Sequence, residues 1–243
     1  MMAKVGTAGF LFILLSLGCW VVLASSIQNS EVIWKYRQAF WTGWLVTVKL
    51  SAVALLLSTV IGLAAAMAKR SKFLPVRYTA IVYIETIRGI PLLVLLLFLY
   101  YGVFNAVGFD HRLSAGVLIL SLFSGAYIAE ILRAGIESVG HSQWESARAI
   151  GLTNTQTYTY IVCPQALKHS TPALAGQFAS LIKDSSLLSI LGIAEFTFTA
   201  QQVNSATLST LECYLPLSIG YLILTVPLSL WSKKLENALR YET

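Results

Sequence analysis

Apolar residues run along this chain in long, nearly unbroken stretches rather than in short alternations, and polar residues collect between them. A helix needs about 20 mainly apolar residues to cross a hydrocarbon core of about 30 Å. Six stretches reach that scale, at about 8–27, 43–68, 78–104, 113–133, 172–195 and 214–231. The pattern predicts an all-α integral membrane helical bundle of five core spans, with an extra N-terminal span before them. The outer links at about 105–112 and 197–213 are short, whereas the segment at 134–171 is long and turns mixed polar. The predicted organisation is an N-terminal apolar segment and external loop over 1–40, a transmembrane domain over 41–235, and a tail over 236–243. For the first stretch a retained helix is the preferred reading. Lys4, an apolar core over 9–23 and the end Val22-Leu23-Ala24 also suit a cleaved signal peptide. Both readings place 28–42 outside.

Composition agrees with lipid as the solvent: 56% of residues are hydrophobic, 12% are charged and the mean hydropathy is +0.71. The net charge of +6 informs topology rather than nucleic-acid affinity. Lys69, Arg70, Lys72 and Arg77 crowd one link, Arg133, Arg148 and Lys168 belong to another, Lys233, Lys234 and Arg240 follow the last stretch, and Lys4 precedes the first. These are 11 of the 17 Lys and Arg, and Lys35, Arg37 and Arg112 fall on the opposite side. The bias puts both termini and the 69–77 and 134–171 segments in the cytoplasm. Trp41, Trp44, Tyr100, Tyr101, Tyr214 and Trp231 read as interfacial anchors.

Several chemistries find no support. Cys19, Cys163 and Cys213 lack metal or redox spacing. His111, His141 and His169 are isolated. No G-x-x-x-x-G-K-[ST] run is present, so the chain has no recognisable phosphate loop. No paired acids or Ser/His set marks a membrane-embedded enzyme.

The long polar segment holds helix signals. Ser142-x-x-Glu145 has the form of a capping box that starts a short helix. Trp144, Ala147 and Gly151 follow at i, i+3 and i+7, and Gly151 suits a left-handed helix end. Thr153-x-x-Gln156 repeats the start signal, and Pro164 predicts a stop near Cys163. The expected unit is helix, glycine turn, helix. It either packs on its own bundle or lies in a groove of a cytoplasmic partner.

Three charges need a reason to sit inside spans. A charge at a span's centre costs about 2.5–3.5 kcal/mol on insertion scales. Counted at about 1.5 Å per residue, Arg88 falls about 15 Å and Lys183 about 17 Å from the inner ends of their stretches. Glu85 can meet Arg88 at i, i+3, and Asp184 is a second candidate partner. Gly89 and Pro91 predict a break in the helix beside Arg88. Lys49 is placed to snorkel outward, and Glu130 with Arg133 reads as a structural pair.

The run Glu145-Ser146-Ala147, Gly151, Ile161 and Cys163-Pro164 resembles the E-A-A…G…I-x-L-P loop of ATP-binding-cassette importer permeases, with Ser146 for an alanine and Cys163 for a leucine. Arg88-Gly89-Ile90-Pro91-Leu92-Leu93 and Lys183-Asp184-Ser185-Ser186-Leu187-Leu188 are similar to motifs of the polar amino acid branch (histidine, glutamine, glutamate, arginine type). Leu95 stands where many members carry glutamine. The resemblance covers about 43–235 and implies a type I importer permease of the bacterial inner membrane. It implies a non-catalytic subunit that binds no cofactor, with ATP and Mg in a partner ATPase dimer. It further implies a second permease copy or paralogue and an extracytoplasmic amino-acid-binding protein. Glu145, Ala147, Gly151, Ile161 and Pro164 would couple to the ATPase, and Glu85, Arg88, Lys183, Asp184 and Ser185 would line the path. The rival reading is a self-sufficient secondary carrier that uses Lys183, Asp184, Arg88 and Glu85 as an ion relay.

Overall fold

A computed structural model describes residues 30–240, with side chains over 31–237, so the predicted span at 8–27 lies outside the described residues. The described chain is helical throughout and contains no strand. A short α1 (Ser30–Lys35) leads into α2 (Arg37–Lys69), the longest helix. Its buried positions Phe40, Gly43, Thr47, Leu50, Ala54, Ser58, Gly62 and Ala65 recur every three or four residues, which draws one narrow and mostly small-residue stripe. That stripe seats α5 (Arg112–Glu137). A Cβ on Gly62 would sit 2.6 Å from Ile128 Cγ2, and one on Gly125 would sit 2.8 Å from Ile61 Cγ2. The two helices therefore touch backbone to backbone, as small residues permit in membranes.

Between them runs α3 (Leu74–Gly89), then α4 (Leu92–Leu97), which continues as a π-helical turn Phe98–Phe104 and a 3-10 turn Asn105–Val107. The single span expected over 78–104 is in fact bent by 112° between α3 and α4. Pro91 causes the break: it holds Ile90 extended at φ −111°, ψ 133° and supplies no N–H to a continuing ladder. Ile84 of α3 packs with Ala65, Ala66 and Ala129, near the Lys69 end of α2, and α4 then climbs to the opposite end, where Tyr100 donates to the Asp110 carbonyl at 3.3 Å.

The long polar segment forms α6 (His141–Ala149) and α7 (Asn154–Thr157), and a π-helical turn Tyr158–Val162 joins α7 to α8 (Cys163–Asp184). Pro164 does not stop this helix: it sits in the first turn of α8 after the ladder has widened, where a missing N–H costs little. The span expected over 172–195 is also divided. α8 starts earlier, tightens into a 3-10 turn Ser185–Leu191 and ends at left-handed Gly192; α9 (Phe196–Thr207) then occupies most of what read as an outer loop. α10 (Thr210–Arg240) closes the fold against α8, where Ser232 Oγ donates to the Pro172 carbonyl at 2.7 Å.

Among the described residues three helices, α2, α5 and α10, are long and apolar enough to cross a membrane, and the bent α3–α4 pair makes a fourth candidate. The fifth predicted crossing, over 172–195, falls on α8 and the 3-10 turn after it, which do not reach the same length and apolarity. The main core lies where α2, α4, α5 and α8 meet, around Leu50, Leu96, Leu120, Leu181 and Leu188. Leu95 is buried in that core, so it faces helices of its own chain.

Candidate functional site

The hairpin at 141–162 is built as a rigid projection. Gly140 precedes α6 with no side-chain cap, and Ser142 lies inside the helix, so the capping box expected at Ser142 and Glu145 does not form. Glu145 is exposed and meets His141, one turn back, at 3.2 Å. At the other end, Gly151 takes φ +80°, Gly151 N–H donates to the Arg148 carbonyl and Leu152 N–H to the Ala147 carbonyl, both at 3.0 Å. This is the paired 5→2 and 6→1 closure of a glycine-terminated helix. The second box is present in full: Thr153 Oγ1 accepts from Gln156 N–H at 3.3 Å and Gln156 Oε1 from Thr153 N–H at 2.9 Å.

Trp144 packs edge-on to Tyr158 with centroids 5.0 Å apart, on a cluster of Val139, Val162 and Ala166. Tyr158 also hydrogen-bonds Arg70, from the link after α2. Ala147 is completely buried within its own chain, where α6 packs on the turn after α7. Glu145, Ser146, Arg148, Ile150, Gly151 and Tyr160 face outward, with Ile150 74% and Tyr160 70% exposed. Ile161 is half-buried and Pro164 exposed. Beneath the hairpin, a Cβ on Gly135 would lie 2.7 Å from the Ala166 carbonyl, so α5 and α8 are locked together at the hairpin's base. A force on α6 or α7 therefore reaches two long helices through packed side chains.

The second group of candidates gathers around the helix breaks. Ile87 and Ile90, flanking Arg88, and Leu187, near Lys183, pack on the same core cluster. The two motifs thus border one region of the bundle. Within it the pairing differs from expectation. Arg88 meets neither Glu85 nor Asp184 in an ion pair; its partner is Glu130, at 3.6 Å. Glu130 also holds Lys69 at 2.6 Å and Arg133 at 2.9 Å, so the Glu130 and Arg133 pair forms as predicted and a carboxylate on α5 gathers cations from three helices. Arg133 further pairs with Glu137. Arg88 is accordingly level with Glu130, about 10 Å from the end of α5 at 1.5 Å per residue, closer to the hairpin side than the 15 Å expected of an unbroken span. Lys183 and Asp184 take no part in the ion pairs among the described residues, so the relay required of a self-sufficient carrier is not linked. Ser185 is buried and its hydroxyl donates to the Ile182 carbonyl at 2.7 Å.

Chemically, the α3–α4 break suits an anionic group. Arg88 keeps 35% of its side chain exposed. α4 begins beside it with no side-chain cap on its first N–H groups, which leaves free donors and the positive end of a helix dipole. Half-buried Asp184 and exposed Lys183 lie at the C-terminal end of α8, where carbonyls favour a cation. No group of three or more His, Cys, Asp or Glu residues is placed to hold a metal among the described residues.

One polar centre was not foreseen. Glu195 is fully buried and caps α9: its carboxylate accepts from Thr197 N–H at 2.9 Å, Phe198 N–H at 2.7 Å, Thr47 Oγ1 at 3.2 Å and the Tyr221 hydroxyl at 3.2 Å. It ties α2, α9 and α10 together. Its signal in the sequence was slight: a lone acid after Gly192, where an apolar run gives way to threonines.

Comparison with known proteins places this geometry. The family model described as "Binding-protein-dependent transport system inner membrane component" matches residues 58–241. The chain is 36% identical over 212 residues to the probable glutamine ABC transporter permease protein GlnM of Bacillus subtilis (strain 168), covering 87% of this chain and 98% of that one. It is 38% identical over 210 residues to the L-cystine transport system permease protein TcyB of the same organism, covering 84% and 89%. Among solved structures, a crystal structure of an amino acid ABC transporter with histidines superposes with a TM-score of 0.79 at 36% identity, covering 85% of this chain and 96% of that one. The chain belongs to the family of inner membrane components of binding-protein-dependent transport systems.

Proposed function

We propose that this transport component forms half of an inward path for a polar amino acid, driven by a separate ATPase dimer docked on α6 and α7. The observation that carries the reading is the hairpin: a rigid exposed unit, seated on α5 and α8, on a chain without a phosphate loop. ATP and Mg belong to the partner. Closure of the ATPase dimer on ATP draws the hairpins together, α5 and α8 follow, and the bundle turns outward to receive cargo from an extracytoplasmic binding protein. Hydrolysis resets the inward state. Glu145, Gly151 and Ile150 make the contact; Ala147 acts beneath them by letting α6 lie close to its support. Both termini lie in the cytoplasm.

A second copy or a paralogue covers the face that carries Glu85, Arg88 and Lys183. All three are exposed on the single chain, and charges facing lipid are costly whereas charges facing a water-filled path between two subunits are not. Arg88 and the first N–H groups of α4 receive the cargo carboxylate, and Asp184 its ammonium group. Similarity to permeases named for glutamine and for L-cystine supports an amino acid as the cargo class.

The test is co-expression of the chain with its genomic neighbours, followed by purification in detergent. Wild type should retain an ATPase subunit, and Glu145→Arg or Gly151→Trp should lose it while the bundle stays folded. Equal retention by all three would remove the hairpin from the coupling interface.

A further inference from the structure

Arg88 stands at the α3–α4 break with 35% of its side chain exposed, and among the described residues its guanidinium makes no hydrogen bond. Glu130 attracts it from 3.6 Å but is already engaged: one carboxylate oxygen accepts from Lys69 Nζ at 2.6 Å and the other from Arg133 Nε at 3.0 Å. What holds the guanidinium is a ring. Arg88 Cζ lies over Tyr127, 5.5 Å from the ring centroid, within the range of about 6 Å at which an aromatic face attracts a cation. Tyr127 is three residues before Glu130 on α5, so both address Arg88 from one helix face. One turn further back, Phe123 packs against Tyr127 with centroids 5.1 Å apart and against the main core. The core therefore braces the ring.

Contact with a ring face consumes no N–H, whereas a fork onto a carboxylate consumes two. Arg88 is thus held in place with its donors unspent, which is the state a carboxylate receptor needs, and the rotamer freedom of a long side chain is restrained before cargo arrives. Resting on the reading of Arg88 as the receptor of the cargo carboxylate, we propose that Tyr127 is a positioning residue for cargo: its ring fixes the Arg88 guanidinium so that the carboxylate meets a preformed fork. Tyr127 acts through Arg88, and it acts by its ring rather than by its hydroxyl.

The complex purified with its genomic neighbours is titrated with labelled glutamine, histidine, arginine and cystine, and the amino acid that binds wild type most tightly serves as the probe. Tyr127→Phe should bind it within about twofold of wild type and Tyr127→Leu about tenfold more weakly, the size of a desolvated cation–π contact. In an Arg88→Lys background, where a compact ammonium replaces the flat guanidinium, Tyr127→Leu should cost at most about twofold. In case the leucine variant misfolds, phenylalanines with one, two or three ring fluorines in place of Tyr127 keep the shape while draining the negative face, and affinity should fall at each step. Where Arg88→Ala abolishes binding, any of four results would overturn the role of Tyr127: a leucine variant equal to wild type, a phenylalanine variant as weak as leucine, the full leucine penalty with lysine at 88, or affinity unchanged across the fluorinated series. Unchanged binding by Arg88→Ala would instead overturn the reading of Arg88 itself, and the role of Tyr127 with it.

Discussion

Replacing Glu195 with alanine should be the most damaging single change at a polar position in the described bundle. The carboxylate accepts four hydrogen bonds and is fully buried. Loss of an N-cap costs about 1 kcal/mol. A buried donor left unpaired costs about 1–3 kcal/mol, and Thr197 and Phe198 N–H are both stranded. Side-chain hydrogen bonds between membrane helices average about 0.6 kcal/mol, which covers Thr47, while Tyr221 keeps its 3.1 Å contact with Thr197. With the two N–H groups counted once, as buried donors rather than again as a cap, these place Glu195→Ala about 3–7 kcal/mol below wild type. Glu195→Gln keeps one oxygen for Thr197, Thr47 and Tyr221 but turns an amide toward Phe198 N–H, a loss of about 1–3 kcal/mol. Equilibrium unfolding in mixed micelles titrated with SDS, followed by tryptophan fluorescence, should rank wild type above Gln above Ala. A Glu195→Ala chain within about 0.5 kcal/mol of wild type, the range typical of inconsequential surface changes, would refute the claim that this carboxylate holds α2, α9 and α10 together.

Gly62→Leu should separate α2 from α5, because a Cβ there already meets Ile128 at 2.6 Å and the Gly125 carbonyl at 2.9 Å; about 1–3 kcal/mol of overpacking strain should lower the thermal midpoint, whereas Gly176→Ala, with open space around it, should leave it unchanged. Trp144→Ala removes the edge-on contact with Tyr158, worth about 0.5–1.5 kcal/mol beyond area; limited proteolysis should cut 141–162 faster while the transmembrane fragments persist. Arg88→Ala should abolish cargo binding to the membrane complex, and Arg88→Lys should restore part of it as a point charge without the guanidinium's fork, read by binding of labelled amino acid to the purified complex.

The long helices were legible because lipid demands length and apolarity together, and α2, α5 and α10 show both without interruption. The break at Gly89 to Pro91 was legible in kind, since proline constrains its neighbour wherever it falls, but the 112° bend was not: it depends on how α3 packs across α2 and α5. Arg88 was recognised as a residue needing a partner, and the wrong partner was expected. Glu130 is 42 positions away on another helix, and local spacing carries no information about such a pair. Pro164 misled in the opposite direction, because a π-helical turn absorbed what an α-helical ladder would not. The division of α8 from α9 was only partly legible: Gly192 ends the first run locally, but Glu195, which starts the second, is held by Thr47 and Tyr221 from distant helices. In the hairpin the Thr153 box and the Gly151 closure rest on neighbours in sequence, and both formed as predicted.

In the proposed mechanism a separate ATPase drives transport through contact with α6 and α7. The direct measurement is uptake of labelled amino acid into liposomes that contain the chain with its ATPase, with the matching binding protein outside and ATP inside. Uptake should require internal ATP and the binding protein, and Glu145→Arg should abolish it. Uptake by the chain alone, driven by a proton gradient without ATP, would contradict that mechanism.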